Sequence, residues 1–151
     1  MFSDKTVHGD NFTAFHAGPM AGWTQFRLDP PDVPMPAKGK LFLQNLLGSA
    51  GLEISLNVLL PGKGIPFLHR HQRNDEVYVV VGGRGQFLVD GACIDVTEGS
   101  VLRMRPPAAR GWRNNSDGPL YFVCIQYQAD SVIDGCVHDG VRVEGKPAWP
   151  S

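Results

Sequence analysis

The sequence predicts a single all-β domain, built as a sandwich or a barrel of short strands. Eighteen glycines and twelve prolines are spread along 151 residues, so no long uninterrupted helical run remains. Roughly seven short apolar runs recur at intervals of about ten residues, with turn residues between them. The length is close to that of one domain, and a second full domain would not fit.

The chain divides into three predicted segments. Residues 1–40 are expected to form an irregular N-terminal arm, because residues 28–39 contain four prolines and can be neither a helix nor a central strand. Residues 41–128 carry the strand pattern and form the barrel. Residues 129–151 are a polar, glycine-rich tail, which we expect to pack on the barrel or to be partly disordered.

The predicted strands begin with two apolar runs, residues 41–47 and 52–60. In the second run apolar residues at 54, 56, 58 and 60 alternate with Glu53, Ser55 and Asn57, which indicates a half-buried strand. The dipeptide Asp90-Gly91 is a strong signal for a two-residue hairpin between its flanking strands. The other predicted strands are residues 76–81, 86–89, 92–96, 101–105, 110–114 and 120–127.

Charge and cysteine usage exclude several classes of partner. The formal net charge is −1 and the pI is about 6.5, so the chain lacks the basic patch that binds nucleic acid or an anionic membrane. Residues 1–10 lack a signal-peptide core, and no apolar run is long enough for a membrane span. Cys93, Cys124 and Cys136 have no CxxC spacing, which argues against disulfides and thiolate zinc. We expect a cytoplasmic protein with a small-molecule ligand.

Two histidines and a glutamate form the candidate metal site. His69 and His71 are two residues apart, so in an extended segment both imidazoles leave the same face. Glu76 follows a polar turn and can return a carboxylate to that face. Such a set leaves open coordination positions and suits Fe, Mn, Ni, Cu or Zn as divalent ions. The alternative is that the histidines lie at a strand end and only aid solubility.

Two stretches resemble the motifs of the cupin family. Residues 61–85 resemble the first motif, and residues 99–114 resemble the second. The matching positions are Gly62, His69, His71, Glu76 and Gly83 in the first, and Gly99, Pro107 and Asn114 in the second. The resemblance covers about residues 41–127. It implies a jelly-roll β-barrel (a double-stranded β-helix) with metal ligands inside, and a homodimer.

The chain departs from the family pattern at one important position. Where the second motif supplies a histidine this sequence has Arg110, preceded by Ala108 where the family has glycine. Arginine has no lone pair to offer a metal, so the usual four-ligand shell cannot form. Two outcomes stay open: a three-ligand site completed by water or substrate, or a metal-free pocket in which Arg110 pairs with Glu76 or binds a ligand's carboxylate or phosphate.

Other residues are weaker candidates. Tyr78 and Trp112 lie two residues after Glu76 and Arg110, so they are expected either to bind substrate beside Arg110 or to be barrel core. Gln44, Gln126 and Arg103 can also reach inward, depending on register. Cys124 is interpreted as a small packing residue.

The sequence supports three hypotheses about function. The first is a metal-dependent oxygenase or isomerase acting on a small polar compound, with the metal bound by His69, His71 and Glu76. The second is a non-catalytic module that binds an organic anion without metal. The third, a dimerisation scaffold, is weaker because polar residues concentrate at the motif positions. The fold alone decides between none of them.

Overall fold

The computed structural model describes residues 5–30, 36–132, 135 and 137–150. Parts of the predicted arm and tail, including Cys136, therefore lie outside the described residues. Over the described ranges almost all of the regular secondary structure is β-strand, which confirms the all-β prediction. The strands are β1 (Thr6–Gly9), β2 (Phe12–Phe15), β3 (Arg27–Leu28), β4 (Ala37–Lys38), β5 (Lys40–Phe42), β6 (Leu52–Leu59), β7 (Asn74–Gly82), β8 (Arg84–Val89), β9 (Ala92–Thr97), β10 (Val101–Met104), β11 (Arg110–Arg113) and β12 (Leu120–Gln128).

Two antiparallel sheets form the jelly-roll barrel. One has five strands in the order β10-β7-β12-β6-β5, and the other has three in the order β11-β8-β9. Strands β1 and β2 form a separate hairpin, and β3 and β4 form a second small ladder. The predicted turn between β8 and β9 is confirmed: Asp90 and Gly91 both have positive φ, as a type I′ hairpin requires.

An aromatic core lies between the two sheets of the barrel. Tyr78 from β7, Phe87 from β8 and Phe122 from β12 are each at most 1% exposed. Their rings lie 5.0 to 6.0 Å apart at edge-to-face or tilted angles, as aromatic pairs prefer. This cluster joins the two sheets and fixes the position of the strands that carry the candidate site.

A second apolar cluster lies on the outer face of β6, and it corrects the prediction of a half-buried strand. Leu56 and Val58 pack there against Trp23 and Phe26 of the N-terminal arm. The polar positions of β6 are buried as well, with Ser55 and Asn57 only 2% and 4% exposed. Ser55 lines the barrel cavity. Strand β6 is therefore covered on both faces.

The arm is more regular than the prolines predicted. It contains the β1–β2 hairpin and a 3-10 helix over Met20–Gln25, which brings Trp23 into the outer cluster. The prolines of residues 28–39 did not prevent the hairpin or the 3-10 helix, because both elements end before residue 28. By contrast, all described residues of 137–150 are exposed and form neither strand nor helix.

The run at residues 41–47 is only partly a strand. Strand β5 ends at Phe42, and the chain then forms the short helix α1 (Gln44–Leu47). A carboxylate oxygen of Glu53 accepts hydrogen bonds from the backbone N–H groups of Leu43 and Gln44, which satisfies the start of the helix. Gly48, at φ 66°, ends it. No helix in the described part of the chain has the length and apolar character needed to span a membrane.

We expect Gly83→Ala to destabilise the barrel more than Gly91→Ala does. Both glycines have positive φ, which costs an alanine about 1 kcal/mol or more. At Gly83 an added Cβ would also lie 2.1 Å from the carbonyl oxygen of Pro119, whereas at Gly91 it meets nothing within 4 Å. Urea unfolding should show a loss of about 3 kcal/mol for Gly83→Ala and about 1 kcal/mol for Gly91→Ala. Equal losses would contradict the close approach at Gly83.

Candidate metal and ligand site in the barrel

Glu76 lies at the centre of the candidate site. It is on β7, where the backbone pairs with Met104 of β10 on one side and Gln126 of β12 on the other. Its side chain is 5% exposed and extends from the inner face of the five-stranded sheet. A central strand with partners on both sides holds this carboxylate rigidly.

Arg110 reaches Glu76 from the opposite sheet. It begins β11, is 0% exposed, and donates from Nε and Nη2 to Oε2 of Glu76 at 3.1 and 2.5 Å. Its Nη1 donates to the carbonyl oxygen of Ala108 at 3.0 Å. The hydroxyl of Tyr78 donates to the same Oε2 at 2.6 Å. Oxygen Oε2 is therefore fully used inside the protein.

The other carboxylate oxygen of Glu76 faces the histidines. Oε1 lies 3.3 Å from Nε2 of His71. Two longer contacts complete its surroundings, from Sγ of Cys124 at 3.5 Å and from Nε2 of Gln126 at 3.4 Å. Oε1 is thus the oxygen that Glu76 can offer to a metal or a ligand.

The two histidines are held beside β11 and not within a regular strand. His69 and Arg110 exchange backbone hydrogen bonds of 3.0 and 2.9 Å in an isolated bridge. The backbone N–H of His71 donates to the carbonyl oxygen of Pro106. The imidazole of His69 packs against Trp112, with ring centroids 5.3 Å apart. These contacts direct both rings toward the same end of the barrel.

The structure brings the three predicted metal ligands together. One ligand atom from each of His69, His71 and Glu76 lies within 4.8 Å of the others. The 3.3 Å between His71 and Glu76 matches the spacing of two ligands bound to one metal at about 2.1 Å each. In His69, Nδ1 is buried and has no hydrogen-bond partner among the described residues. The donor set therefore fits a divalent transition metal.

The local electrostatics keep the donors in the forms that bind metals. Burial and the neighbouring positive charge of Arg110 lower the pKa of His69; burial likewise lowers the pKa of His71, although Glu76 opposes it. Burial alone would raise the pKa of Glu76, but hydrogen bonds from Tyr78 and Arg110 outweigh it and lower the pKa to about 2. The site holds neutral imidazoles and an ionised carboxylate near neutral pH.

The trio lies on the wall of a cavity of about 740 Å³. This volume is large enough for a small organic compound. Tyr78 and Trp112 both line the cavity and also pack in the aromatic core, and their binding of a substrate stays a prediction. Gln126 lines it as well.

Arg110 lies behind this wall. Its guanidinium is directed to Glu76 and Ala108, and it is not one of the residues that line the cavity in the described part of the chain. The structure therefore favours the predicted pairing with Glu76 over direct binding of a ligand by Arg110. Arg103, expected as an inward candidate, instead pairs with Asp75 and is half exposed.

Lys40 is a cavity residue that was not among the predicted site residues. Lys40 lies on β5 and lines the cavity together with Ser55 of β6. The alternation Lys40-Leu41-Phe42 carries the signal, because Leu41 packs in the outer cluster and its neighbours must face the other way. Cys124 is 6% exposed, and burial and the charge of Glu76 raise its pKa to about 12, as suits a packing residue.

Comparison with known proteins identifies the family. The family model described as Cupin domain matches residues 56–126. A solved cupin protein from Bacteroides fragilis is 36% identical, with a TM-score of 0.67, and the alignment covers 70% of this chain and 89% of that one. The chain belongs to the cupin family. The jelly-roll barrel inferred from the motif resemblance is thereby confirmed.

Two other similarities are more distant. A curated but uncharacterized protein from Methanocaldococcus jannaschii is 27% identical over 51% of this chain, and the match spans only 62% of that protein. A sugar phosphate isomerase from Silicibacter pomeroyi is 22% identical with a TM-score of 0.55, covering 60% of this chain and 59% of that one. This cupin shares the fold with the isomerase, and that similarity carries no activity across.

Acid is expected to remove a stabilising contribution of Glu76. Its pKa is about 2 in the folded chain, against an ordinary 4.5. Because the folded value is lower, the contribution is complete above about pH 4.5 and is lost as the pH falls toward 2; it is on the order of 3 kcal/mol. Urea unfolding across this range should show a smaller loss for Glu76→Gln than for the unsubstituted protein. Parallel pH profiles would contradict the low pKa.

Proposed function

We propose that this cupin is a metal-dependent enzyme that acts on a small organic compound in its barrel cavity. Its His69, His71 and Glu76 would hold a divalent transition metal, and the reaction would be an oxygenation or an isomerisation. The observation that carries the proposal is the convergence of three ligand atoms within 4.8 Å on the wall of a cavity of about 740 Å³.

The donor set supports this chemistry. Two imidazoles and one carboxylate oxygen leave coordination positions open, and such sites typically bind Fe(II), although Mn, Ni, Cu and Zn also suit these ligands. When bound, the metal would act as a Lewis acid toward substrate oxygens or as a centre for dioxygen chemistry. Glu76 would bind it through Oε1 alone, since Arg110 and Tyr78 occupy Oε2.

The protein's own residues would orient the substrate and exclude water. Tyr78 and Trp112 contribute an apolar wall beside the histidines, and Gln126 offers an amide on the same wall. Arg110 fixes the rotamer of Glu76 through two hydrogen bonds, as outer partners of metal ligands commonly do. Its charge also offsets that of the carboxylate, so a bound divalent metal would leave a net positive site that favours an anionic substrate.

The Arg110–Glu76 pair also supports a second candidate function. A site in which arginine already satisfies the carboxylate can serve as a metal-free binding module for an organic anion. The two candidates differ in metal dependence: ligand binding by a metal-free module survives chelation, whereas binding by the enzyme does not.

Titration calorimetry with Mn²⁺ on chelator-treated protein tests the proposal. We expect one binding site per chain, and the same stoichiometry with Co²⁺, whose visible absorption should change as imidazoles bind. The absence of saturable binding of either ion would refute the metal-dependent enzyme and leave the metal-free module. The homodimer and the cytoplasmic location stay predictions that these titrations do not address.

A further inference from the structure

Lys40 places a partly buried ammonium group on the wall of the cavity. Its Nζ donates to Oγ of Ser55 at 3.1 Å and to Oδ1 of Asn57 at 2.8 Å, and it lies 4.7 Å from the centre of the Phe42 ring. An ammonium group has three N–H donors, and these bonds use two of them. One donor is therefore left without a protein acceptor in the described ranges.

Among the described residues, Lys40 forms no ion pair with a carboxylate. Both of its hydrogen-bond acceptors are neutral, and none of the ion pairs between described residues includes it. Glu53 and Glu76 are near enough to attract this charge, but the Glu53 carboxylate accepts backbone N–H groups at the start of helix α1 and Glu76 pairs with Arg110. Desolvating a cation without a direct ion pair is costly, and burial lowers the pKa of Lys40 although the two carboxylates oppose it. An anion entering the cavity would supply the direct ion pair.

Lys40 lies at a distance from the metal ligands that one small compound can span. Its ammonium binds Ser55 on β6, and β6 is separated from β7, which carries Glu76, only by β12. Two strand spacings separate the backbones of β6 and β7 by roughly 10 Å, and Ser55 lies in the cross-strand row of Tyr78, two residues along β7 from Glu76. A compound of a few carbon atoms can span this gap, with an acidic group at Lys40 and an oxygen donor near His69, His71 and Glu76.

We infer that Lys40 binds the acidic group of the cavity ligand, and that this ligand is a small organic anion carrying a carboxylate or a phosphate. The inference deepens the proposed function and rests on it for the second point of attachment, at the metal ligands. It also reassigns the anion-binding role from Arg110, whose guanidinium is occupied, to a lysine whose third donor has no acceptor among the described residues.

Calorimetric titration with two probes tests this inference. The probes are succinate, which carries carboxylates, and glycerol 3-phosphate, which carries a phosphate; Mn²⁺ is present throughout. We expect at least one probe to bind with a Kd of about 1 mM or below, and Lys40→Met to weaken it at least about tenfold. The probe that binds identifies the acidic group. Lys146→Met, which removes an exposed charge from the tail, should leave the affinity within about twofold.

The inference is overturned if neither probe binds the unsubstituted protein at about 10 mM, or if Lys40→Met binds as tightly as the unsubstituted protein. Thermal unfolding verifies that each variant is folded, and Lys40→Gln replaces the methionine variant should that one fail to fold. Metal content measured on the same samples separates the two proposals. If the protein contains bound metal but Lys40→Met binds the probe as tightly as the unsubstituted protein, only the role of Lys40 is rejected. If probe binding depends on Lys40 but the protein contains no bound metal, only the metal-dependent enzyme is rejected.

Discussion

Replacing Arg110 with methionine is expected to lower the free energy of unfolding by about 3–5 kcal/mol. The side chain is 0% exposed and its partner Glu76 only 5%, so the substitution leaves an ionised carboxylate buried with Tyr78 as its one remaining strong donor. Removing one partner of such a pair costs more than the pair itself contributes, because the other charge stays desolvated. Urea unfolding monitored by tryptophan fluorescence measures the loss.

A matched control lies on the same strand. Arg113→Met removes an exposed arginine whose Nε bonds Gln86, and it should change stability by no more than about 0.5 kcal/mol. Combining Arg110→Met with Glu76→Gln should recover part of the lost unfolding free energy, because a neutral amide then replaces the buried carboxylate. A cost below about 1 kcal/mol for Arg110→Met would contradict a desolvated ion pair between Arg110 and Glu76.

His71→Ala is expected to weaken Mn²⁺ binding at least about 100-fold while the barrel stays folded. Loss of an outer partner of a metal site already costs up to about 100-fold, and loss of a direct ligand costs more. The fold should tolerate the change, because the His71 side chain is 23% exposed and lies outside both apolar clusters. Calorimetry gives the affinity, and circular dichroism verifies the fold.

His16→Ala serves as the control, since His16 is an exposed histidine of the N-terminal arm. Its Mn²⁺ affinity should equal that of the unsubstituted protein. Undiminished Mn²⁺ binding by His71→Ala would remove His71 from the proposed ligand set. Equal losses in both variants would indicate nonspecific binding by surface histidines.

The sequence predicted the strands of the barrel well because their signals are local. Turn residues separate the strands, and Asp90-Gly91 has the positive φ values that its turn type demands. The same local pattern could not show which face of β6 is inside. An alternating pattern indicates only that the two faces of a strand differ in polarity. In β6 the N-terminal arm covers the apolar face with Trp23 and Phe26, and the polar face lines the cavity.

Distant contacts explain the remaining errors. Helix α1 depends on Glu53, which lies at the beginning of β6. Its carboxylate accepts hydrogen bonds from the helix start only once the chain has turned back into that strand. Lys40 is a cavity residue because β5 pairs with β6 in a register that brings it opposite Asn57. Sequence spacing does not specify that register.

The candidate site was predictable to the extent that its residues share one motif. His69, His71 and Glu76 are close in sequence, and the structure places them on one wall of the cavity. The role of Arg110 was left open between two partners, because its distance from Glu76 depends on how the two sheets face each other. The structure favours the pair with Glu76.

The most direct test of the metal-dependent enzyme is the metal content of the protein as purified, determined by elemental mass spectrometry without a polyhistidine tag. The proposed site predicts about one equivalent of a transition metal per chain, and its loss in His71→Ala. Less than about one tenth of an equivalent, in protein produced with metals available, would contradict the site and favour the metal-free binding module.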